Sequence, residues 1–207
     1  MSRLVAFGCS FTFGDSLEDT LDNTRPSKLA WPNLVANKMN LDCDNQAVCG
    51  LSNLGIVDKI INYKFDETDI VLVMWTFFER DLLWQDDGTS YNLTWNLSNS
   101  ELVDSWATTH TVRDRRIRAW YNMHHVYHYL KALGLRFYFL HTSQEKGFLS
   151  IKPTWAENIN FLPTKFTDFM NRFPKALDNS HPGSKSHEFL ASFVFQYINS
   201  TEFPNQS

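Results

Sequence analysis

Six consecutive apolar residues, Ile70-Val71-Leu72-Val73-Met74-Trp75, constrain this chain more than any other feature. The run is far shorter than the roughly 20 residues a membrane-spanning helix needs. A strand with one wet face would alternate polar and apolar residues, so an unbroken run predicts a strand covered on both faces. Shorter strand signals recur on either side. Leu4 to Phe7 ends at Gly8, Leu41 to Val48 closes at Gly50, and Leu135 to Leu140 follows Gly134. Helical signals lie between them. Trp31 to Met39 has proline in its first turn and Leu34, Val35 and Met39 near one face. Ser52-Asn53 caps a segment carrying Leu54, Ile56, Val57, Ile60 and Ile61. Val112 to Leu133 reads as a long helix with Gly134 as its cap, and Ser184 to Asn199 as a closing amphipathic helix.

Alternating strands and helices predict an α/β fold: a three-layer α/β/α arrangement around a central, mostly parallel sheet. The 207 residues, 43% hydrophobic and 15% aromatic, suit one large domain spanning 1–207. Two stretches, about 79–110 and 142–180, are rich in Asn, Ser, Thr, Pro and Trp and are expected as irregular loops over a site, the first as a Trp-rich lid. Sheets of this kind place their sites at the carboxyl ends of strands. Gly8-Cys9-Ser10, Gly50 and Thr76 each follow an expected strand, so they can meet at one edge.

With 20% charged residues and a formal net charge of -4, the chain does not advertise a polyanionic partner such as nucleic acid. A small molecule is the expected partner, with no membrane association. Met1-Ser2-Arg3 leads straight into Leu4, too abruptly for a secretory signal, and the three cysteines Cys9, Cys43 and Cys49 suit reduced thiols. Cytoplasmic localisation is therefore expected. Nothing in the sequence bears on oligomeric state.

Two serines near the N-terminus compete as nucleophiles. Ser10 follows the first strand, and Ser16 lies in Gly14-Asp15-Ser16-Leu17. A serine hydroxyl attacks well only when a base removes its proton and a third group holds that base in the right tautomer. Asp178-Asn179-Ser180-His181 places a carboxylate three residues before an imidazole, close enough for a turn to let Asp178 accept the Nδ1 proton of His181.

At these residues the chain resembles the SGNH, or GDSL-type, serine hydrolases. Gly8, Ser10, Thr12 and Gly14 match that family's nucleophile block, with Cys9 and Phe11 in place of Asp and Leu, and Asp178 with His181 matches its late Asp-x-x-His. Asn45 to Asn53 looks like its glycine block and Trp31-Pro32-Asn33-Leu34 like its first helix start. The resemblance implies a flavodoxin-like hydrolase domain and a serine esterase or O-deacetylase, possibly acting on a carbohydrate. Ser10 would be the nucleophile, His181 the base and Asp178 its orienting acid, with no cofactor and no metal. The oxyanion would be held by Ser10 N–H, Gly50 N–H and a third donor. Ser16 lies six residues too late and lacks the following Thr and Gly, so the literal Gly-Asp-Ser-Leu reads as coincidence.

One block departs from the pattern. The family's Gly-x-Asn-Asp after the central strand is replaced by Thr76-Phe77-Phe78-Glu79-Arg80-Asp81, so its oxyanion asparagine is missing. Thr76 is the first candidate substitute and Arg80 the second. Asn53, Arg80 and Trp84 are the residues expected to touch substrate, with Trp84, Trp95 and Trp106 able to serve either as aromatic platforms or as ordinary lid packing. The missing donor keeps alive an alternative: an SGNH-fold carbohydrate-binding protein with weak or no turnover. A nucleotide-binding reading is disfavoured, because the first loop lacks Gly-rich phosphate-binding spacing.

Other candidate motifs have plainer readings. His124 and His128 have the i, i+4 spacing of a zincin helix but lack its glutamate, so a solvated or polar face is expected. Arg113, Arg115, Arg116 and Arg118 are interrupted by Asp114 and suit a salt-bridged surface. His187 is expected to be structural or at the surface, and a Cys9 thiol nucleophile is disfavoured because neighbouring side chains diverge.

Overall fold

The computed structural model describes residues 2–20, 24–94, 101–142 and 152–202. Five parallel strands form the central sheet: β1 (Arg3–Phe7), β2 (Asp42–Asn45), β3 (Ile70–Trp75), β6 (Arg136–His141) and β7 (Phe161–Lys165), in the order β2-β1-β3-β6-β7. The long helices are α2 (Trp31–Met39), α3 (Asn53–Ile61), α5 (Val112–Ala132) and α7 (Ser184–Glu202), with a short α1 (Ser10–Phe13) after β1.

Side chains alternate across a strand, and here each face is claimed by a different pair of helices. Val5, Phe7, Val71, Val73, Trp75 and Phe139 pack with Ile56, Ile60, Trp120 and Met123 of α3 and α5. Leu4, Ala6, Leu72, Met74 and Leu140 pack with Trp31, Val35, Leu190 and Val194 of α2 and α7. The result is the three-layer α/β/α arrangement. All six residues of β3 are buried, as an unbroken apolar run requires.

Three expectations need correction. The stretch 79–110 is not irregular: it holds a hairpin, β4 (Arg80–Trp84) with β5 (Ser90–Thr94), followed by α4 (Glu101–Thr109). The turn signal is Asp86-Asp87-Gly88, where Asp87 Oδ1 accepts from the Thr89 N–H at 2.8 Å and the Gln85 N–H donates to Thr89 O at 2.8 Å. The stretch 142–180 contains β7 and the short α6 (Thr167–Met170). Pro163 disguised β7, since proline cannot serve a central strand, but β7 is an edge strand and tolerates it. The strand expected over Leu41 to Val48 ends as a ladder at Asn45, whose side chain accepts from the Ala47 N–H and donates to Thr12 O. Beyond it, Gln46 N–H and Val48 N–H still donate to Ala6 O and Gly8 O, so the chain stays alongside the end of β1.

Among the described residues no helix is long and apolar enough to cross a membrane.

Candidate active site

The chain leaves β1 toward β2 on one side and returns to β3 on the other, so the ends of β1 and β3 flank the point where strand order reverses. That is where open parallel sheets leave a crevice. Ser10 sits there as the first residue of α1, 3% exposed, with Cys9 in extended conformation as N-cap. The flanking glycines explain why so tight a turn forms. A Cβ on Gly8 would lie 2.1 Å from Thr12 Oγ1, so only glycine lets α1 fold back onto the strand end. Gly14 caps α1 at φ 79°, and its N–H donates to Ser10 O at 3.0 Å. A Cβ there would also press within 2.9 Å of Ser27, Ala30 and Leu17. Gly14→Ala is therefore expected to cost about 2 kcal/mol, left-handed strain plus overpacking, measurable as a lowered urea midpoint.

The loop before α7 supplies the acid and the imidazole. Asp178 Oδ2 accepts from the Nδ1 of His181 at 2.5 Å and from the hydroxyl of Ser180 at 2.5 Å, while its Oδ1 accepts from the Ser180 and His181 backbone N–H groups at 3.0 Å each. Burial opposes the charged carboxylate, but these hydrogen bonds outweigh it and hold Asp178 well below the usual carboxylate range. Asp178 is thus ionised, and two of these four hydrogen bonds go to His181 and two to Ser180. The imidazole stands edge-on to Phe11, ring centroids 5.7 Å apart, which brings it against the turn that begins at Ser10. Ser10 and His181 form no direct hydrogen bond.

Ser10, Gly50 and Thr76 follow β1, β2 and β3 on the carboxyl side of the sheet, in different surroundings. Gly50 faces open space, a Cβ there meeting nothing within 4 Å. The Thr76 N–H, by contrast, donates to Asn53 Oδ1 at 2.9 Å, and Asn53 Nδ2 donates back to Thr76 O at 3.2 Å. Asn53 is 2% exposed, so its amide is a brace between α3 and the end of β3 and not a free substrate contact. What Thr76 retains is its hydroxyl, which accepts from Arg80 Nη1 at 3.2 Å. Arg80 lies over the Phe77 ring, 5.2 Å from its centroid, and starts β4.

Trp84 is not brought to this group. It lies four residues along β4 from Arg80, about 13 Å away at strand rise, and is 52% exposed. Trp106 is buried: its Nε1 donates to Asp81 Oδ2 at 3.2 Å and its ring stacks on His110. Trp95 lies outside the described residues. Within the arginine run, Arg118 pairs with Asp114 at 2.8 Å as a surface salt bridge, but Arg115 is buried beside Trp106. His124 and His128 bring their Nε2 atoms to 3.1 Å on the outer side of α5, next to Trp155.

Two further residues shape the site, one read from the sequence as structural or at the surface and the other given no role there. His187 is fully buried and knits three segments: its Nδ1 accepts from the Trp31 N–H at 3.1 Å, and its ring bonds the backbone of Pro182, next to His181. Burial pushes its pKa down to about 3, so it stays neutral. Asp15 is the second: its Oδ2 lies 3.7 Å from His181 Nε2. Neither is flagged by any spacing. Ser16, the rejected nucleophile, donates its hydroxyl to Asp15 Oδ1 at 3.0 Å. The Cys49 thiol, raised to about 12 by burial and then by Asp15, is a neutral wall of the site.

No protein-family model matches this sequence, and no curated protein matches it. Solved structures do resemble it. One is a carbohydrate esterase whose active site is described as displaying divergent catalytic and non-catalytic binding functions (12% identity, TM-score 0.60, over 96% of this chain and 65% of that one). Another is the psychrotrophic esterase EstA from Pseudoalteromonas sp. (13%, 0.59, over 97% and 98%). A third is a protein assigned to the lipolytic G-D-S-L family from Desulfitobacterium hafniense DCB-2 (10%, 0.57, over 94% and 98%). This chain thus spans about two thirds of the carbohydrate esterase's length and nearly all of the other two. At these identities the likeness establishes the fold, which is that of the GDSL/SGNH esterases and acylhydrolases.

Proposed function

We propose that this chain is a serine hydrolase of carboxylic esters, with Ser10 as nucleophile, His181 as base and Asp178 as the acid that orients it. The observation that carries the reading is the Asp178–His181 pair, bonded through Nδ1, delivered edge-on to the α1 turn that opens with Ser10. The fold shared with esterases supports it.

In this mechanism Ser10 Oγ bonds to the ester carbonyl carbon as its proton passes to His181 Nε2. The tetrahedral intermediate collapses by breaking the carbon–alkoxide bond, and His181 returns the proton to the departing alcohol. Water then attacks the acyl-serine by the same proton route and releases the acid. Backbone N–H groups of Ser10 and Gly50 and the hydroxyl of Thr76 are the oxyanion donors in this reading, with Arg80 polarising the Thr76 hydroxyl. Every role is filled by a side chain or backbone group of this chain, so no cofactor is invoked. O-acetyl groups on a carbohydrate are the substrate class we favour, a small acyl group being compatible with a site walled by Phe11, Phe77 and Cys49.

One observation favours the binding-protein alternative: the Thr76 N–H is already taken by Asn53, and loss of an oxyanion donor costs roughly 10² to 10³ in rate. A fluorophosphonate probe separates the two. Covalent labelling mapped to Ser10, with hydrolysis of p-nitrophenyl acetate, is the expected result; sugar binding without labelling would establish the alternative.

A further inference from the structure

Asp15 occupies a position that nothing in the triad accounts for. Two contacts hold it there. Its N–H donates to Ser10 O at 3.1 Å, closing the α1 turn, and the next residue's carbonyl, Ser16 O, accepts from the Leu177 N–H at 3.0 Å. The turn bearing Asp15 and the loop bearing Asp178 and His181 are therefore stitched into one register. The side chains of Asp15 and His181 are only 13% and 23% exposed. Around the Asp15 carboxylate stand the Ser16 hydroxyl, the Cys49 thiol and His181 Nε2. Among the described residues no lysine or arginine pairs with it. A largely buried carboxylate without a cation is costly unless something else satisfies it.

His181 Nε2 is the nitrogen that hands the proton to the departing alcohol in the proposed mechanism. A carboxylate 3.7 Å from that nitrogen stands within reach of a group carried next to the departing oxygen. We propose that Asp15 is a specificity-determining residue that reads the leaving alcohol, accepting a hydrogen bond from a hydroxyl next to the ester oxygen. It selects esters of polyhydroxylated alcohols, tolerates cationic ones and repels alcohols that carry a carboxylate or phosphate. This inference rests on the esterase reading above and narrows its substrate class to mono-esters of polyols, sugars included.

The test uses four acetates that differ only in the alcohol: 2-hydroxyethyl acetate, ethyl acetate, acetylcholine and acetoxyacetate. The wild type should favour 2-hydroxyethyl acetate over ethyl acetate by about tenfold in kcat/KM, the size of one hydrogen bond to a charged acceptor, and acetoxyacetate should be the poorest. Asp15→Ala should erase the hydroxyl preference. The isosteric Asp15→Asn, which preserves the fold if alanine does not, should lose the discrimination between acetylcholine and acetoxyacetate while retaining part of the hydroxyl preference. An unchanged ranking in Asp15→Asn overturns the inference even when the wild type hydrolyses all four. Fluorophosphonate labelling of Ser10, run in parallel, keeps the two failures apart: labelling without alcohol discrimination sinks only the role of Asp15, whereas a wild type that neither labels nor hydrolyses sinks the esterase reading and this inference with it.

Discussion

Replacing Ser10 with alanine is expected to lower kcat by at least ~10³, because loss of the nucleophile in a working triad costs that order or more. The fold should survive, since the substitution removes one hydroxyl at the head of a four-residue helix whose turn is set by Gly8 and Gly14. Ser16→Ala is the matched control. Among the described residues its hydroxyl bonds only the Asp15 carboxylate, so kcat should change less than about threefold, the scale of a loop adjustment. The measurement is steady-state hydrolysis of p-nitrophenyl acetate, with circular dichroism to verify folding. Full activity in Ser10→Ala, or a probe adduct on Ser16, would overturn the assignment.

The second large effect is on stability in acid. His187 has a folded pKa pushed down to about 3 against an ordinary value of 6.5, because burial opposes its charged form. The unfolded chain therefore binds more protons between those two values, and stability falls as pH drops through that window. The neutral form contributes fully above about pH 6.5; by pH 4 roughly 3 kcal/mol should be lost at this one site. Asp178, whose pKa is also lowered, adds loss in the same direction but below its own ordinary value. His187→Gln cannot titrate, so its urea-unfolding free energy should depend much less on pH between 6.5 and 4 than the wild type's, even if the variant starts less stable. Equal slopes in the two proteins would refute the buried neutral imidazole. Protonation would also remove the Nδ1 acceptor of the Trp31 N–H, so acid should loosen the start of α2 along with the fold.

The loop between β1 and α2 separates what can be read from residues and what cannot. Gly8 and Gly14 are legible because each is demanded by local geometry, one by close approach to Thr12 and the other by a left-handed cap. The strand β3, the helices α3 and α5 and the Asp178–His181 pair are legible for a similar reason: continuous burial, helical periodicity and a three-residue turn are properties of neighbouring residues. The hairpin over Arg80–Trp84 and Ser90–Thr94 also left a local mark in Asp86-Asp87-Gly88, hidden among polar residues that read as loop.

What the sequence determined alone, then, is the layered α/β class, the catalytic candidates Ser10, Asp178 and His181, and the edge of the sheet where they belong. Tertiary structure decided the rest, because those outcomes depend on residues far apart in the chain. Asn53 reaches 23 residues along to occupy the Thr76 N–H, removing a donor that spacing left open. His187 finds Trp31 across 156 residues, which no periodicity encodes. Asp15 meets His181 where the Ser16–Leu177 backbone bond joins two turns distant in sequence. Local rules govern dihedrals, caps and alternation; which polar group satisfies which across the crevice is settled only when the sheet order brings their strand ends together.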